Sequence, residues 1–403
     1  MYFATASART TALSGVTVEG MVTYIPANGI EYYNGSVWVS ISAAVTALTT
    51  KGDLLTYSTQ DTRLPVGADG TTLVANSASA TGISWAGPTF AAGKNKIING
   101  DFGVWQRGTS FNYTGLTATT YTADRFSIFV NGNGTYTVSQ QTFTPGSAPV
   151  VGYESQFFCR FATNTVGTST AGYIFTQRIE DVRQFAGQTV TLSFYAKADS
   201  ARTIFGVLEQ NFGSGGSTTV VTSFSTNTLS TSWTRYSVSV AVPSISGKTI
   251  GSSSFLQLAF QITPAASQVL DIWGVQLEAG SVATPFTTAT GTVQGELAAC
   301  QRYYYPWSAF SIGITVRQAS TTQHYANCSL PVSMRTSPTI AIGNATGASI
   351  FSAASSTATL TLTANGSNYN YFGLSITTTA IGATGYAADF SSGTATISAS
   401  AEL

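Results

Sequence analysis

Two tyrosines alternate with asparagines in the segment Asn365–Phe372, which reads Asn-Gly-Ser-Asn-Tyr-Asn-Tyr-Phe. Aromatic rings stack on the apolar C–H faces of sugars, and amide groups hydrogen-bond to sugar hydroxyls. Since Gly, Asn and Ser predict a loop, the segment is interpreted as a loop that contacts a glycan, and packing between copies of the chain explains it almost as well. With two aromatic residues from the same region, the candidate glycan-binding residues are Tyr369, Tyr371, Asn368, Asn370, Trp307 and Tyr325.

Other aromatic side chains are better explained as core. Aromatic residues make up 12% of the chain, so most of them must be buried inside whatever sheets the chain forms. The residues predicted to fill a core in this way are Trp105, Phe126, Trp233 and Trp273.

Catalytic constellations are poorly represented. His324 is the only histidine, and neither a nucleophile elbow nor metal-ligand spacing accompanies it, which argues against a catalytic triad or a zinc site. Paired carboxylates could cleave a glycan, but their separation cannot be read from sequence, and Glu180 and Asp181 alternate faces on a strand. The acidic candidates are Asp124, Glu180, Asp181 and Glu278. We therefore expect no enzymatic activity and no cofactor.

The cysteines predict no disulfide framework. Cys159, Cys300 and Cys328 are three in number and form no Cys-x-x-Cys pair. Buried, reduced thiols are the expected state.

Charge argues against nucleic acid as a partner, and the distribution of apolar residues argues against membrane insertion. Charged residues make up only 8% of the chain, against about a quarter in an average domain, and 17 basic residues balance 17 acidic ones. Without a net field the chain has little to attract a polyanion, so nucleic acid is not an expected partner. No apolar run has the length of a signal peptide core or a membrane span, so we expect cytoplasmic synthesis and no membrane insertion.

The elements that must position the candidate residues are strands. Between Val22 and Ile41, β-rich runs flank Asn34-Gly35, the strongest short-range signal for a hairpin with a type I′ turn. Such a small meander is barely stable alone, so partner chains are expected to support it. Residues 43–93 are interpreted as a connector or shaft with short strands.

A second region, 94–290, contains at least seven β-rich runs separated by Gly, Asn, Ser and Pro, which predicts a β-sandwich such as a jelly roll. These runs are Phe126–Val130, Thr135–Ser139, Thr189–Ala196, Thr203–Leu208, Arg235–Val242, Phe255–Ile262 and Val269–Leu277. One helix is predicted over Val293–Tyr304, where Leu297, Cys300, Tyr303 and Tyr304 could share a face.

The last region, 291–403, alternates again and predicts a smaller antiparallel β domain. The runs that carry this prediction are Thr339–Ile342, Ala358–Thr363 and Thr394–Ser398. The fold class predicted for the whole chain is therefore all-β.

Several segments resemble bacteriophage tail-fibre and other virion structural proteins. Glu19–Tyr24 with Glu31–Trp38 resembles a hairpin module near the start of phage fibres. A fibre connector is resembled by Thr50–Leu55 with Arg63–Gly67 and Ile83–Ala86. Asn99–Gly108 resembles the opening of a phage jelly-roll domain similar to carbohydrate-binding modules. Its companion motifs at the opening, the closing strand and beyond are Tyr121–Phe126, Asp271–Gly280, Ala283–Phe286, Glu296–Tyr304, Pro331–Arg335 and Ala401–Leu403.

One departure concerns calcium. Modules of that kind often carry an acidic residue just after the Asn-Gly-Asp-Phe opening, and here that position is Gly103. Calcium needs six or more oxygen ligands, and Asp101 and Asp271 are the obvious acidic candidates that remain. No metal site is predicted.

The resemblance implies a homotrimeric tail-fibre subunit of a virion, synthesised in the host cytoplasm. Its N-terminal part, 1–42, would attach to other tail or baseplate proteins, and its distal β domains would bind host surface polysaccharide or lipopolysaccharide by avidity. Two alternatives stay open: a purely structural virion component without receptor binding, and a spike that depolymerises polysaccharide.

Overall fold

A computed structural model describes most of the chain, and it forms two compact units, Met1–Thr89 and Phe90–Leu403. The boundary predicted at residues 42 and 43 lies outside the described residues, and the predicted domain limits stay predictions. The described residues are 1–40, 48–58, 61–67, 71–77, 79–86, 92–115, 118–130, 133–150, 153–167, 172–225, 228–262, 268–307, 314–320, 322–343, 349–352, 355–356, 360–378, 387–391 and 396–403.

The first unit begins with a helix that the sequence analysis missed. Thr5 caps its first turn by accepting a hydrogen bond from the backbone N–H of Ala8 (3.1 Å). Arg9 of this helix forms a buried ion pair with Glu31, and its guanidinium lies 4.3 Å from the ring centroid of Trp38. The elements of this part are α1 (Ala6–Ala12), β1 (Val22–Ile25), β2 (Gly29–Tyr33) and β3 (Trp38–Ser40).

The three strands form the predicted antiparallel meander, in the order β1-β2-β3. The turn prediction was wrong in detail. A type I′ turn needs positive φ at two residues, and of the pair only Gly35 has it (φ 92°). Instead, Asn34 Oδ1 accepts hydrogen bonds from the N–H groups of Ser36 and Val37, so the side chain shapes a longer loop.

Two short hairpins complete the first unit, in agreement with the short strands expected there. Asp53 holds the first hairpin because its carboxylate accepts hydrogen bonds from Arg63 and from three backbone N–H groups, and these bonds lower its pKa. The strands are β4 (Leu54–Tyr57), β5 (Asp61–Leu64), β6 (Thr72–Ala75) and β7 (Ile83–Ala86).

The second unit opens with a β-sandwich of two six-stranded antiparallel sheets. Its strands are β8 (Ser110–Thr114), β9 (Thr120–Tyr121), β10 (Ser127–Val130), β11 (Thr135–Thr142), β12 (Phe157–Thr165), β13 (Gly172–Glu180), β14 (Thr189–Ala198), β15 (Ile204–Asn211), β16 (Val220–Ser225), β17 (Thr234–Ala241), β18 (Phe255–Ile262) and β19 (Gln268–Ala279). One sheet has the order β16-β15-β18-β13-β10-β9 and the other β17-β14-β19-β12-β11-β8. All seven predicted runs are strands.

The core lies between the sheets, and a second aromatic cluster lies apart from it. Phe126 is fully buried in the main core, and Trp105 packs against it. Trp273 is equally buried but belongs to the second cluster, with Phe143, Phe158 and Phe286, and half-buried Trp233 packs there. The prediction that these tryptophans pack inside is therefore confirmed, although they serve two clusters.

The opening motif and the closing strand are joined directly. Gly100 accepts a hydrogen bond from the N–H of Val275 (2.9 Å), and the buried Asn95 amide donates to the carbonyls of Val275 and Thr287. Segments about 180 residues apart in the chain thus close one end of the sandwich.

Beyond the sandwich, helix α2 leads into two further sheets. The three-stranded sheet has the order β20-β29-β23, and the seven-stranded sheet β25-β24-β28-β21-β22-β27-β26. The bounds are α2 (Val293–Gln301), β20 (Tyr304–Trp307), β21 (Ile314–Gln318), β22 (Gln323–Ser329), β23 (Thr339–Ile342), β24 (Ser349–Ser352), β25 (Ser355–Ser356), β26 (Leu360–Asn368), β27 (Tyr371–Thr378), β28 (Ala387–Ser391) and β29 (Ile397–Ser400). The predicted antiparallel strands are present, whereas the predicted helix is shorter than expected, because it ends at Gln301 and Tyr304 begins β20. Residues 358–359 and 394–395 of the predicted runs lie outside the described residues.

A cluster of charges, the Glu402 clamp, fastens the segment after β29 to the sandwich. Glu402 forms ion pairs with Arg107 (3.0 Å) and with the buried Arg125. Arg178 donates to the carbonyl of Leu403 (2.6 Å), and Arg335 donates to the carbonyl of Glu402 (2.9 Å). The small β domain and the sandwich are thereby held together.

The helices are short. Across the described ranges, neither α1, with seven residues, nor α2, with nine, nor any other helix has the length and apolarity to cross a membrane.

Candidate functional site

The predicted contact loop Asn365–Phe372 is a strand hairpin. β26 continues to Asn368 and β27 starts at Tyr371, so only Tyr369 and Asn370 form the turn. The loop prediction was wrong because Asn368 Oδ1 accepts the N–H groups of Asn370 (2.9 Å) and Tyr371 (3.1 Å), which closes a tight turn directly on the ladder.

The hairpin turn is hydrogen-bonded to a neighbouring segment of the same chain. The N–H of Met334 donates to the carbonyl of Tyr369 (2.7 Å), and the N–H of Leu330 donates to the carbonyl of Asn370 (2.9 Å). The ring of Tyr369 nevertheless stays 52% exposed. A fixed backbone with an exposed aromatic side chain suits a contact residue, because little ordering is lost on binding.

Tyr325 and Tyr371 lie on the same face of the seven-stranded sheet. In the β22–β27 register Tyr325 pairs with Ser375 and Tyr371 with Ser329, and residues paired in this way point to one face. Between these two pairs lies a third, Asn327 with Gly373. We call this surface the tyrosine face; its residues are Tyr325, Asn327, Ser329, Tyr371, Gly373 and Ser375.

The tyrosine face is shallow and polar. Tyr325 and Tyr371 are four residues apart in register, which is roughly 13 Å along a strand. Gly373 puts no side chain between them, Asn327 is exposed, and Tyr371 is 43% exposed. The opposite face is apolar core, with Phe372, Leu374 and Ile376 fully buried.

Among the described residues, the tyrosine face also carries one cation, because Arg317 pairs with Tyr325 in the β21–β22 register. The guanidinium of Arg317, on the neighbouring strand β21, lies 5.7 Å from the ring centroid of Tyr325. Gln323 donates to the hydroxyl of Ser375 (2.5 Å) on the same face. Aromatic rings, an exposed amide and hydroxyls are the groups that a sugar chain needs.

Not all six predicted residues meet there. Trp307 is half-buried and packs edge-on against Phe372, at 6.1 Å and 89°, so it faces the buried side of the sheet. Asn368 uses its side-chain oxygen to close the turn, and Tyr369 and Asn370 are at the turn itself. The structure thus brings together Tyr325 and Tyr371, with the turn beside Tyr371, and separates Trp307 from them.

Asn327 and Gly373 were missed by sequence reasoning. Both are two residues from a predicted site tyrosine, the spacing that shares a strand face. That signal identifies the face only once the pairing of β22 with β27 is known, and a strand register cannot be read from composition.

The acidic candidates are engaged in structural contacts. Asp124 binds Arg107 (3.0 Å), Asp181 binds Arg183 (3.0 Å), and Glu180 accepts hydrogen bonds from Arg302 and from the Tyr303 hydroxyl. Burial would raise the pKa of Glu180, but the bonds from Arg302 and Tyr303 outweigh it, and its pKa is lowered. Glu278 accepts hydrogen bonds from Gln276 and Thr284.

Burial also determines the state of His324 and the thiols. His324 is fully buried in β22, and burial lowers its pKa, which favours the neutral imidazole. All three cysteines are buried and unpaired, as expected, and burial raises their thiol pKa values, to about 12 for Cys328.

The two acidic residues considered for calcium hold different partners. Asp271 makes a bidentate contact with Arg160 (2.7 and 2.9 Å), whereas Asp101 contacts the N–H of Gly103 and the Tyr153 hydroxyl. Within the described ranges, no group of three or more His, Cys, Asp or Glu side chains is placed to hold a metal ion.

Comparison with known proteins gives only distant likenesses. No family model matches the sequence, and no curated protein matches it. Among solved structures the chain is similar to tailspike protein 4 of bacteriophage CBA120, enzymatically active domain (16% identity, 46% of this chain, 22% of that chain, TM-score 0.28). It is also similar to a xylan-binding module from Paenibacillus barcinonensis (11%, 48% and 100%, TM-score 0.28) and to a Stig cyclase from Fischerella sp. TAU (12%, 48% and 100%, TM-score 0.30).

The chain spans about a fifth of the length of that tailspike protein. TM-scores this low over about half of the chain carry no argument about function, which must come from the chain's own residues.

Proposed function

We propose that this chain is a non-enzymatic subunit of a virion tail fibre, which binds host-surface glycan through the tyrosine face. The observation that carries the glycan-binding part is the placement of Tyr325, Asn327 and Tyr371 on one face, with the two tyrosines four residues, or roughly 13 Å, apart along the strand register.

The chemistry of the face supports a glycan. Two tyrosine rings offer platforms for sugar C–H faces, and Asn327, Ser329 and Ser375 offer donors and acceptors for hydroxyls. Single contacts of this kind are weak, so several copies of the face on one fibre would be needed for stable adhesion.

The N-terminal sheet supports assembly into a fibre. One face of the β1–β2 pair carries only apolar and aromatic side chains, because Val22 pairs with Tyr32 and Tyr24 with Ile30. Tyr2 stacks on Tyr24 at 5.8 Å and extends this face. We call it the N-terminal apolar face: Tyr2, Val22, Tyr24, Ile30 and Tyr32.

The five residues of the N-terminal apolar face are between 37% and 68% exposed. They present on the order of 400 Å² of mainly apolar surface, the size of patches that are often interfaces. Two further copies of this chain are the proposed occupants, since the face carries no charge that would call for an oppositely charged partner.

A binding assay with the full chain tests the proposal. A glycan array and whole host cells would be probed with wild type, Tyr371→Ala and Tyr325→Ala. We expect each substitution to weaken binding of a glycan held by the tyrosine face about 5- to 10-fold, and the double substitution to abolish binding at this face.

Tyr57→Ala is the matched control, because Tyr57 is 70% exposed on β4 of the other unit and should not change binding. If wild type binds no glycan, the purely structural alternative is favoured; if both variants bind like wild type, glycan is bound elsewhere and the tyrosine face is not the site. Shortened polysaccharide chains after incubation would favour the depolymerase alternative.

Oligomeric state and location need separate measurements. Analytical ultracentrifugation should give a trimer for wild type and smaller species for the double variant Tyr24→Ser, Ile30→Ser, with Tyr57→Ser as control. A monomeric wild type would overturn the proposed occupants and leave the face for another virion protein. Immunogold labelling of virions tests the location, and unlabelled tails would contradict it.

A further inference from the structure

A groove lies on the sandwich beside the opening motif, away from the residues proposed to bind glycan. It consists of two adjoining cavities of about 210 and 430 Å³ that share Asp101, Gly103, Tyr153 and Val293. We call it the Asp101 groove.

The wall that presents Asp101 is held in an unusual backbone conformation. Asn99 and Phe102 have positive φ (60° and 54°), which non-glycine residues rarely adopt. The Asn99 side chain fixes this segment by donating to the carbonyls of Val104 and Asp124 and accepting the N–H of Val104. Such strain persists where surrounding contacts hold it, and it is frequent at binding sites.

The second wall is also rigid. Glu296 of α2 accepts hydrogen bonds from the N–H of Asn99 (2.7 Å), from the N–H of Thr290 (2.7 Å) and from the Thr290 hydroxyl (2.9 Å). Across the groove, the ring of Tyr153 packs at 5.5 Å from Trp273 and 5.6 Å from Phe286. A ligand would therefore meet a preformed site.

The carboxylate of Asp101 accepts longer, weaker hydrogen bonds than the carboxylate of Glu296. The two oxygens of Asp101 receive the N–H of Gly103 at 3.4 Å and the hydroxyl of Tyr153 at 3.5 Å, both at the limit of a hydrogen bond. The carboxyl thus keeps hydrogen-bonding capacity in a largely buried position. Burial and the charge of Glu296 raise its pKa to about 6.

The lining selects against negative charge. Among the residues that the structure describes, the lining contains three acidic residues, Asp101, Glu154 and Glu296, and no Lys or Arg. A phosphate or a uronic acid would therefore meet repulsion without a compensating cation. Val104, Val293 and the Tyr153 ring supply apolar surface, while Thr288 and Gln156 supply polar groups.

We propose that the Asp101 groove binds a neutral sugar unit, with Asp101 hydrogen-bonded to its hydroxyls and the Tyr153 ring against its C–H face. This would be a second carbohydrate site, on the sandwich, and it does not depend on the tyrosine face.

Saturation-transfer NMR with the full chain tests this site. The probes are the methyl glycosides of glucose, galactose, mannose and N-acetylglucosamine, with glucuronic acid as the anionic probe. At least one neutral probe should bind, glucuronic acid should bind at least tenfold more weakly, and Val293→Trp should weaken the neutral probe at least tenfold by filling the groove. Val293 is 80% exposed at the start of α2, so a larger side chain there should leave the fold intact.

Further variants separate this site from the tyrosine face. Asp101→Asn should weaken binding of the neutral probe severalfold, also when it is combined with Tyr371→Ala, which weakens the tyrosine face; Tyr57→Ala, on β4 of the other unit, should leave the binding unchanged. Binding that falls in Tyr371→Ala and survives in Val293→Trp belongs to the tyrosine face and overturns the proposal. The proposal is also overturned if no probe binds, or if glucuronic acid binds as tightly as the neutral glycosides.

Discussion

The guanidinium of Arg125 lies over the ring of Tyr303, with its central carbon 3.4 Å from the ring centroid. The same guanidinium forms an ion pair with Glu402 and donates to the carbonyl of Arg178 (2.6 Å). Arg125 lies in the Tyr121–Phe126 motif of the sandwich, whereas Tyr303 and Glu402 lie in the C-terminal region beyond the sandwich. One buried cation therefore joins two parts of the unit.

Removing this cation should destabilise the second unit. Arg125→Met leaves Glu402 with less compensation in a buried setting, and breaking such a pair typically costs about 3–5 kcal/mol. Urea unfolding followed by tryptophan fluorescence measures the loss. Arg183→Met is the control, because Arg183 pairs with Asp181 at the surface, where an ion pair is worth about 1 kcal/mol or less. Equal losses in the two variants would contradict the role of the clamp.

The carboxyl of Asp101 should make stability depend on pH. Its pKa is raised to about 6 in the folded chain, against 3.8 in its ordinary state. A raised carboxyl pKa stabilises the fold fully below about pH 4, and this contribution is lost as pH rises to about 6. Relative to Asp101→Asn, which does not titrate, wild type should lose about 1–3 kcal/mol across this range in urea unfolding. A constant difference between the two would contradict the raised pKa.

Gly100 should tolerate no side chain. A Cβ at this position would lie 2.2 Å from the carbonyl oxygen of Val275, where backbone is packed against backbone. Gly100→Ala should therefore destabilise by about 2 kcal/mol or more, as overpacking does. Gly103→Ala is the matched control, since the nearest atom to its Cβ would be a side-chain oxygen of Asp101 at 3.5 Å. Thermal unfolding of both variants checks the contrast.

The thiols should be unreactive in the folded chain. Burial raises the pKa of Cys159, Cys300 and Cys328, so little thiolate is present near neutral pH and reagents cannot reach it. Iodoacetamide should label none of the three within an hour in buffer and all three in 6 M urea, as read by mass spectrometry. Rapid labelling in buffer would show that a thiol is accessible.

Strands were predictable where their patterning was strong. Runs such as Thr189–Ala196 and Phe255–Ile262 are β14 and β18 in the structure, because branched and aromatic residues suit buried strands. The helix α1 was missed, since Ala6–Ala12 has no apolar stripe and its cap residue, Thr5, is a weak signal by itself.

The site was only partly predictable. Composition identified Tyr325 and Tyr371 but not their common face, which follows from the β22–β27 register. It also placed Trp307 with them, although Trp307 packs against Phe372 on the buried side. The Asp101 groove was not predictable, because it joins residues about 190 positions apart, from Asp101 to Val293.

The position of β29 determines when the three-stranded sheet can fold during synthesis. This strand lies between β20 and β23. Its residue Ser400 pairs with Tyr304 of β20 on one side and with Thr339 of β23 on the other. On a ribosome, β20 and β23 emerge well before the strand that links them, while the sandwich strands β8–β19 are already available to fold. The three-stranded sheet therefore closes late, and until then β20 and β23 present unpaired edges that are prone to aggregation.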